Sequence, residues 1–149
     1  MDLESLYQEI ILDHYKHPRG QGRLDHPQGE AYHVNPTCGD EITVDVCRAD
    51  GGVRIGFEGQ GCSISQASAS VMAELLDGKS DEDIDTAREA FLALMHSKGS
   101  GTPDEDLLGD GVAFAGVSKY PARIKCALLP WMALQDARER METAHGNHA

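Results

Sequence analysis

Two alternating runs joined by a tight turn constrain this chain most. From Glu41 to Arg48, Ile42, Val44 and Val46 alternate with Thr43, Asp45 and Cys47. Val53, Ile55 and Phe57 answer them after Asp50-Gly51-Gly52. A period of two places alternate side chains on opposite faces, and Asp-Gly-Gly is a hairpin turn sequence. The reading is a half-buried antiparallel hairpin with Thr43, Asp45 and Cys47 on its outer face. Ala31 to Val34 adds an edge strand. So small a sheet must bury its apolar face against something else.

The cover comes from helical periodicity on either side. Leu3, Leu6, Tyr7, Ile10, Ile11 and His14 recur at helix spacing after Asp2, a capping residue, and Pro18 with Gly20 ends the element. A Gly/Pro/polar loop runs from Arg19 to Glu30. Ser63 to Leu76 carries Ile64, Ala67, Ser68, Val71, Met72 and Leu75 on one face, with Gly78 at the C-terminal glycine position. Ser80 and Asp83 form a shortened capping box for a helix to His96, with Ile84, Ala87, Phe91 and Leu94 inward. Lys98 to Asp106 reads as a flexible acidic linker, and 107–117 holds too many glycines for an assigned helix. The last helix runs from Pro121 to Met141. The fold class is α+β: an antiparallel sheet of about three strands with an N-terminal helix and several C-terminal helices on one face. Residues 1–143 form one domain, and 144–149 are expected to be a disordered tail.

Composition excludes several functions. The 149 residues include 25 acidic against 13 basic side chains, a net charge of -12. A nucleic-acid binder needs a basic stripe to displace phosphate counterions, so no nucleic-acid partner is expected. No apolar run reaches the length of a membrane span, and the start, Met1-Asp2-Leu3-Glu4, lacks the pattern of a signal peptide. A cytoplasmic protein with reduced thiols is expected. Basic residues gather at His14 to Arg19 and Lys119 to Lys125, each readable as a docking surface or as ordinary mixed surface.

The chemistry lies in three thiol motifs. Pro36-Thr37-Cys38-Gly39-Asp40 precedes a strand; proline fixes one backbone angle and glycine frees another, and a Cys-x-Asp spacing lets both side chains face one point. Gly59-Gln60-Gly61-Cys62 opens a helix, whose positive end favours a thiolate. Cys126 lies inside the last helix, four residues before Pro130, whose missing N–H leaves the Cys126 carbonyl unbonded and permits a bend. Three thiols and a carboxylate suffice for one metal ion. Yet 23 residues separate Cys38 from Cys62, and 63 separate Cys62 from Cys126. That is no Cys-x-x-Cys zinc pattern, and spacing alone equally describes inert core thiols. Cys47 matches no motif and reads as structural. His14, His17 and His96 read as helix-end or docking residues, and Trp131 and Met132 as core or interface.

Taken together, Cys38-Gly39-Asp40, Gly61-Cys62-x-Ile64-Ser65 and Lys125-Cys126-Ala127-x-Leu129-Pro130-Trp131 resemble the IscU/SufU/NifU N-terminal family of iron–sulfur cluster assembly proteins. Leu6-Tyr7-x-x-Ile10-Ile11-x-x-His14-Tyr15-x-x-Pro18-Arg19-x-Gly is similar to that family's first helix. The resemblance covers the chain to about residue 141. Scaffold members carry a histidine directly before the last cysteine, where this chain has Lys125, and a shorter connection between the second and third cysteines. Both departures, with Arg123, resemble the SufU branch.

That resemblance implies a SufE/IscU-like fold and zinc held by Cys38, Asp40, Cys62 and Cys126. It implies a sulfurtransferase that accepts persulfide sulfur from a SufS-type cysteine desulfurase, with downstream SUF scaffold proteins as further partners. Cys38, on its glycine-flanked loop, is the expected acceptor, and Arg123 the second expected catalytic residue. Three thiolates and a carboxylate on a divalent ion carry a formal charge of -2, which Arg123 and Lys125 are expected to offset. The alternative is a scaffold carrying a transient [2Fe–2S] cluster.

Overall fold

The computed structural model describes residues 2–146, with side chains as far as Thr143. The alternating runs form strands β2 (Asp40–Ala49) and β3 (Gly52–Gln60), and β1 (Gly29–Asn35) joins the free edge of β2 in an antiparallel order β1-β2-β3. Val44 faces Phe57 and Val46 faces Ile55 in the register. Asp50 and Gly51 close the hairpin with φ of 52° and 80°. Positive φ at both central positions marks a turn whose twist matches that of the strands it joins.

The alternation has one exception. Asp45, expected on the solvent face, is fully buried. The loop after the first helix folds across that face, and Arg23 grips the carboxylate through Nε (2.7 Å) and Nη2 (3.1 Å), while the Leu24 N–H donates to Oδ2 at 3.1 Å. A buried carboxylate is stable only when paired and hydrogen-bonded in this way.

Helix α1 (Leu3–Lys16) is capped by Asp2, whose Oδ1 accepts the Ser5 N–H at 2.8 Å. Its apolar face is only partly covered. Tyr7 and Ile11 pack on the core, whereas Leu3 and Leu6, expected inward, are 60% and 43% exposed. Helix α2 (Ser63–Leu76) is the central element, packed against α1, β3 and α5. Its run of Ala and Ser residues lets these neighbours approach closely. Helix α3 (Asp81–His96) begins at Ser80, whose Oγ accepts the Asp83 N–H, and buries Ile84, Ala87, Phe91 and Leu94 as expected.

Residues 104–119 depart from the sequence expectation. Asp104 caps a single helical turn, α4 (Glu105–Leu108), and Gly109–Lys119 continues as 3₁₀ turns. This stretch is part of the core: Phe114 meets Phe91 edge-on at 5.8 Å, and Val112 and Val117 are buried beside it. Glycines that weaken an α-helix suit tight turns pressed against α2; a Cβ on Gly111 would already touch Leu108 and Val71.

Helix α5 runs from Pro121 to Gly146, longer than expected. Of the tail expected to be disordered, 144–146 continue this helix and 147–149 lie outside the described residues. Trp131 stacks on Phe91 with centroids 4.3 Å apart, and its indole N–H donates to Ser68 Oγ at 3.0 Å. Ser68 in turn donates to the Ala127 carbonyl at 2.6 Å. These contacts pin the α5 turn that carries Cys126 to the middle of α2.

Candidate metal centre

Three separate elements deliver the thiols to one end of the sheet. Asn35 and Asp40 pair as the last residue of β1 and the first of β2, so Pro36 to Gly39 form a short connection that projects from the sheet. Gly39 there has φ of 71°. Cys38, on this connection, is exposed. Asp40, two residues on, is 1% exposed. Cys62 is the N-cap of α2, with no side-chain capping bond of its own, and is half-buried. Cys126, on the second turn of α5, is 3% exposed.

Asp40 organises the group. Its Oδ1 accepts the backbone N–H of Cys62 at 2.7 Å, and its Oδ2 lies 3.6 Å from the Cys62 sulfur. The carboxylate therefore makes the backbone hydrogen bond of an ordinary capping acid and still presents an oxygen to the thiols. Gly61 makes this contact possible: at φ of 150° a Cβ would sit 2.2 Å from Asp40 Oδ1.

The sulfurs of Cys38 and Cys126 are 3.2 Å apart. One ligand atom each from Cys38, Asp40 and Cys126 lies within 4.8 Å of the others. Cys62 touches Asp40 but falls outside that mutual limit. In a tetrahedral zinc site with metal–sulfur bonds near 2.3 Å, donor atoms stand about 3.8 Å apart. The separations of 3.2 and 3.6 Å fall a little short of that value, so a slight opening of the group would admit the ion, and two soft thiols with a hard carboxylate match zinc's donor preferences.

The electrostatics point the same way. Burial, then hydrogen bonding to Cys38 and Asp40 and the charge of Cys62, push the Cys126 thiol well above its ordinary value. Gathering three thiols and a carboxylate with no cation is unfavourable, and a bound divalent ion reverses this by deprotonating the thiols.

Arg123 and Lys125 do not reach this cluster. The Arg123 guanidinium lies over the Tyr120 ring, 5.3 Å from its centroid. It lines a groove of about 620 Å³ between α1 and the 3₁₀ segment, with Leu3, Glu4, Tyr7 and Ile64. Lys125 is exposed. Cys47 sits opposite Arg54, seven residues from Asp40 along β2 and roughly 20 Å away. It stands outside the cluster, as expected.

Two constellations escaped the sequence reading. Asn35 directs Nδ2 at the sulfurs of Cys38 (3.7 Å) and Cys126 (3.9 Å). Its signal was the Asn-Pro dipeptide opening the loop, a turn-initiating pair. His14, read as a helix-end or docking residue, is instead fully buried, with Nδ1 on Ser70 Oγ at 2.7 Å and Nε2 on Asp110 Oδ2 at 2.8 Å. Glu74 completes a second group with His14 and Asp110, but Arg19 already bonds Glu74 at 3.1 Å and Asp13 at 2.7 Å. Those two ion pairs favour the ordinary mixed-surface reading of the basic spot around Arg19.

Residues 6–127 match the family described as NifU-like N terminal domain. A zinc-dependent sulfurtransferase SufU of Bacillus subtilis is 44% identical over 136 residues, 90% of each chain. An iron–sulfur cluster assembly scaffold protein IscU of Streptococcus pyogenes is 38% identical, over 95% of this chain and 88% of that protein. A nitrogen-fixing NifU-like protein (N-terminal) from Brucella abortus superposes with a TM-score of 0.82 at 29% identity, over 95% of this chain and 97% of that one. No described helix is long and apolar enough to cross a membrane.

Proposed function

The chain belongs to the NifU-like N terminal domain family, and on that premise we propose that it is a zinc-dependent sulfurtransferase in iron–sulfur cluster assembly. It takes persulfide sulfur from a SufS-type cysteine desulfurase in the cytoplasm and passes it to downstream SUF scaffold proteins. Residues 1–143 act as one unit. The observation that carries the reading is the gathering of Cys38, Asp40 and Cys126, with Cys62 beside Asp40, where only Cys38 is exposed. The similarity to a relative named as a zinc-dependent sulfurtransferase supports it.

Cys38, Asp40, Cys62 and Cys126 would hold zinc. When bound, zinc keeps the thiols deprotonated and shields them between turnovers. Asp40 holds the N-terminus of α2 against β2 and so fixes where Cys62 and Cys38 meet. Cys126, locked in its helix, is an anchor.

Cys38 is the acceptor, because it alone combines exposure with a loop able to move. Its thiolate attacks the terminal sulfur of the desulfurase persulfide. One S–S bond forms on Cys38 as the S–S bond on the desulfurase breaks, leaving a thiolate on the enzyme and a persulfide on Cys38. No electrons are consumed. Arg123, which lines the groove and lies over Tyr120, contributes to catalysis by holding a segment of the desulfurase as it docks.

The test is alanine production by the desulfurase, with cysteine and a reductant, as this protein is titrated in. A large saturating rise that Cys38→Ala abolishes supports the proposal. No rise, with the metal-loaded protein intact, overturns it in favour of a scaffold for a [2Fe–2S] cluster, the activity named for the streptococcal relative.

A further inference from the structure

Neither metal ligation nor strand pairing requires the side chain of Asn35. It ends β1 opposite Asp40, and its main-chain carbonyl accepts the Cys38 N–H at 3.2 Å, which closes the loop as a turn. Its side-chain oxygen accepts the Thr37 N–H at 3.3 Å. The backbone donor fixes which way round the amide sits: oxygen to Thr37, nitrogen to the thiols. The Nδ2 group has two hydrogens and two sulfurs in reach, Cys38 at 3.7 Å on the exposed loop and Cys126 at 3.9 Å on the buried helix. The reverse orientation would set a carbonyl oxygen against both sulfurs.

We propose that Asn35 is a positioning residue for sulfur acceptance: its amide N–H groups bridge the Cys38 and Cys126 sulfurs and keep the Cys38 thiolate hydrogen-bonded whether or not it is engaged with the metal. This rests on the sulfurtransferase reading given above. A free thiolate leaving a buried cluster loses the cation that balanced its charge. A donor already on the same turn supplies part of that balance, and hydrogen bonds to charged groups are the stronger kind. The amide travels with Cys38, because Thr37 and the Cys38 N–H tie both to one turn. The buried Cys126 bond gives that turn a fixed point of return.

Two substitutions separate this role from loop shaping. Asn35→Ser keeps a side-chain oxygen able to accept the Thr37 N–H but has no donor long enough for the sulfurs, whereas Asn35→Leu removes both functions. The unaltered protein and both variants are loaded with Co²⁺, and the thiolate-to-cobalt charge-transfer band is recorded. Each is also loaded with zinc and titrated into the desulfurase. Loss of N–H···S bonds raises the energy of the sulfur electrons, so the band of Asn35→Ser moves to longer wavelength. Its kcat falls about tenfold, the scale of one hydrogen bond to a charged group, with the KM for this protein little changed.

An unshifted band in Asn35→Ser overturns the proposal, whatever the transfer assay shows. A shifted band with undiminished kcat also overturns it, since the bonds would then exist without serving sulfur acceptance. Failure of the unaltered protein to stimulate the desulfurase refutes the sulfurtransferase reading and with it this role, and the band alone then reports the N–H···S bonds. The two failures are therefore distinguishable.

Discussion

Asp40 Oδ1 accepts the backbone N–H of Cys62 at 2.7 Å, so the first residue of β2 is bonded to the N-cap of α2. One carboxylate thereby joins the two elements that carry the first and second thiols. The accepting carboxylate is 1% exposed, and shielding from water strengthens a hydrogen bond to a charged acceptor.

Replacing Gly61 should break this junction. A Cβ there would sit 2.2 Å from Asp40 Oδ1, and a φ of 150° is strained for any side chain. Gly61→Ala is expected to displace Asp40 and weaken metal binding by roughly 10–100-fold, the usual effect of disturbing a ligand's supporting contacts. Competition with a chromophoric zinc chelator measures this. An unchanged affinity would show that the carboxylate needs no such close approach.

His14 should prove structural. It is fully buried, bonded at both ring nitrogens, and ties α1 to α2 and to the 3₁₀ segment. His14→Ala leaves Ser70 short of a partner and opens a cavity, so a loss of about 2–4 kcal/mol is expected in urea unfolding. Metal affinity of the folded variant should be unaltered. A loss below about 1 kcal/mol would mean that the site collapses or admits water.

The thiols should differ sharply in reactivity once the metal is chelated. Cys38 is exposed, whereas Cys126 is 3% exposed and its thiol is pushed up by burial and by its acidic neighbours. Only thiolates alkylate readily. Iodoacetamide followed by mass spectrometry should label Cys38 first and Cys126 last. Equal rates would mean that chelation unravels the α5 turn.

Acid should destabilise the fold through Asp81 among others. Burial alone would raise its pKa, but Arg48 and Arg138 outweigh this and hold it below the usual 3.8. A carboxyl depressed in the folded state contributes stability above its unfolded value, and that contribution disappears as pH falls through the folded one. Asp81 is 42% exposed, so solvent screening keeps the effect small. The denaturation midpoint should therefore begin to drop as pH falls below about 5 and go on dropping below 3.8, and Asp81→Asn should flatten that slope. A slope identical in the variant would assign the acid loss elsewhere, the thiol cluster being the first alternative.

The hairpin, the helix order and the three thiol motifs were legible in the chain before any folding. Each of these is written in neighbouring residues: alternation between Ile42 and Val46, positive-φ residues at Asp50 and Gly51, capping at Asp2 and Ser80. Such patterns depend on local geometry, which a single strand or helix already possesses. Other features depend on long-range packing. Leu3 and Leu6 share a helical stripe with Tyr7 and Ile11 but stay exposed, because no other described element covers that end of the stripe. Asp45 obeys the outward period and is buried nonetheless, since a distant loop lays Arg23 on it. His14 looks like any histidine near a helix end until Ser70 and Asp110 arrive from 56 and 96 residues away. Asn35 shows no chemistry in the sequence, and only the return of α5, 91 residues later, sets Cys126 against its amide. Periodicity fixes which face a side chain occupies, but what meets that face depends on contacts far apart in the chain.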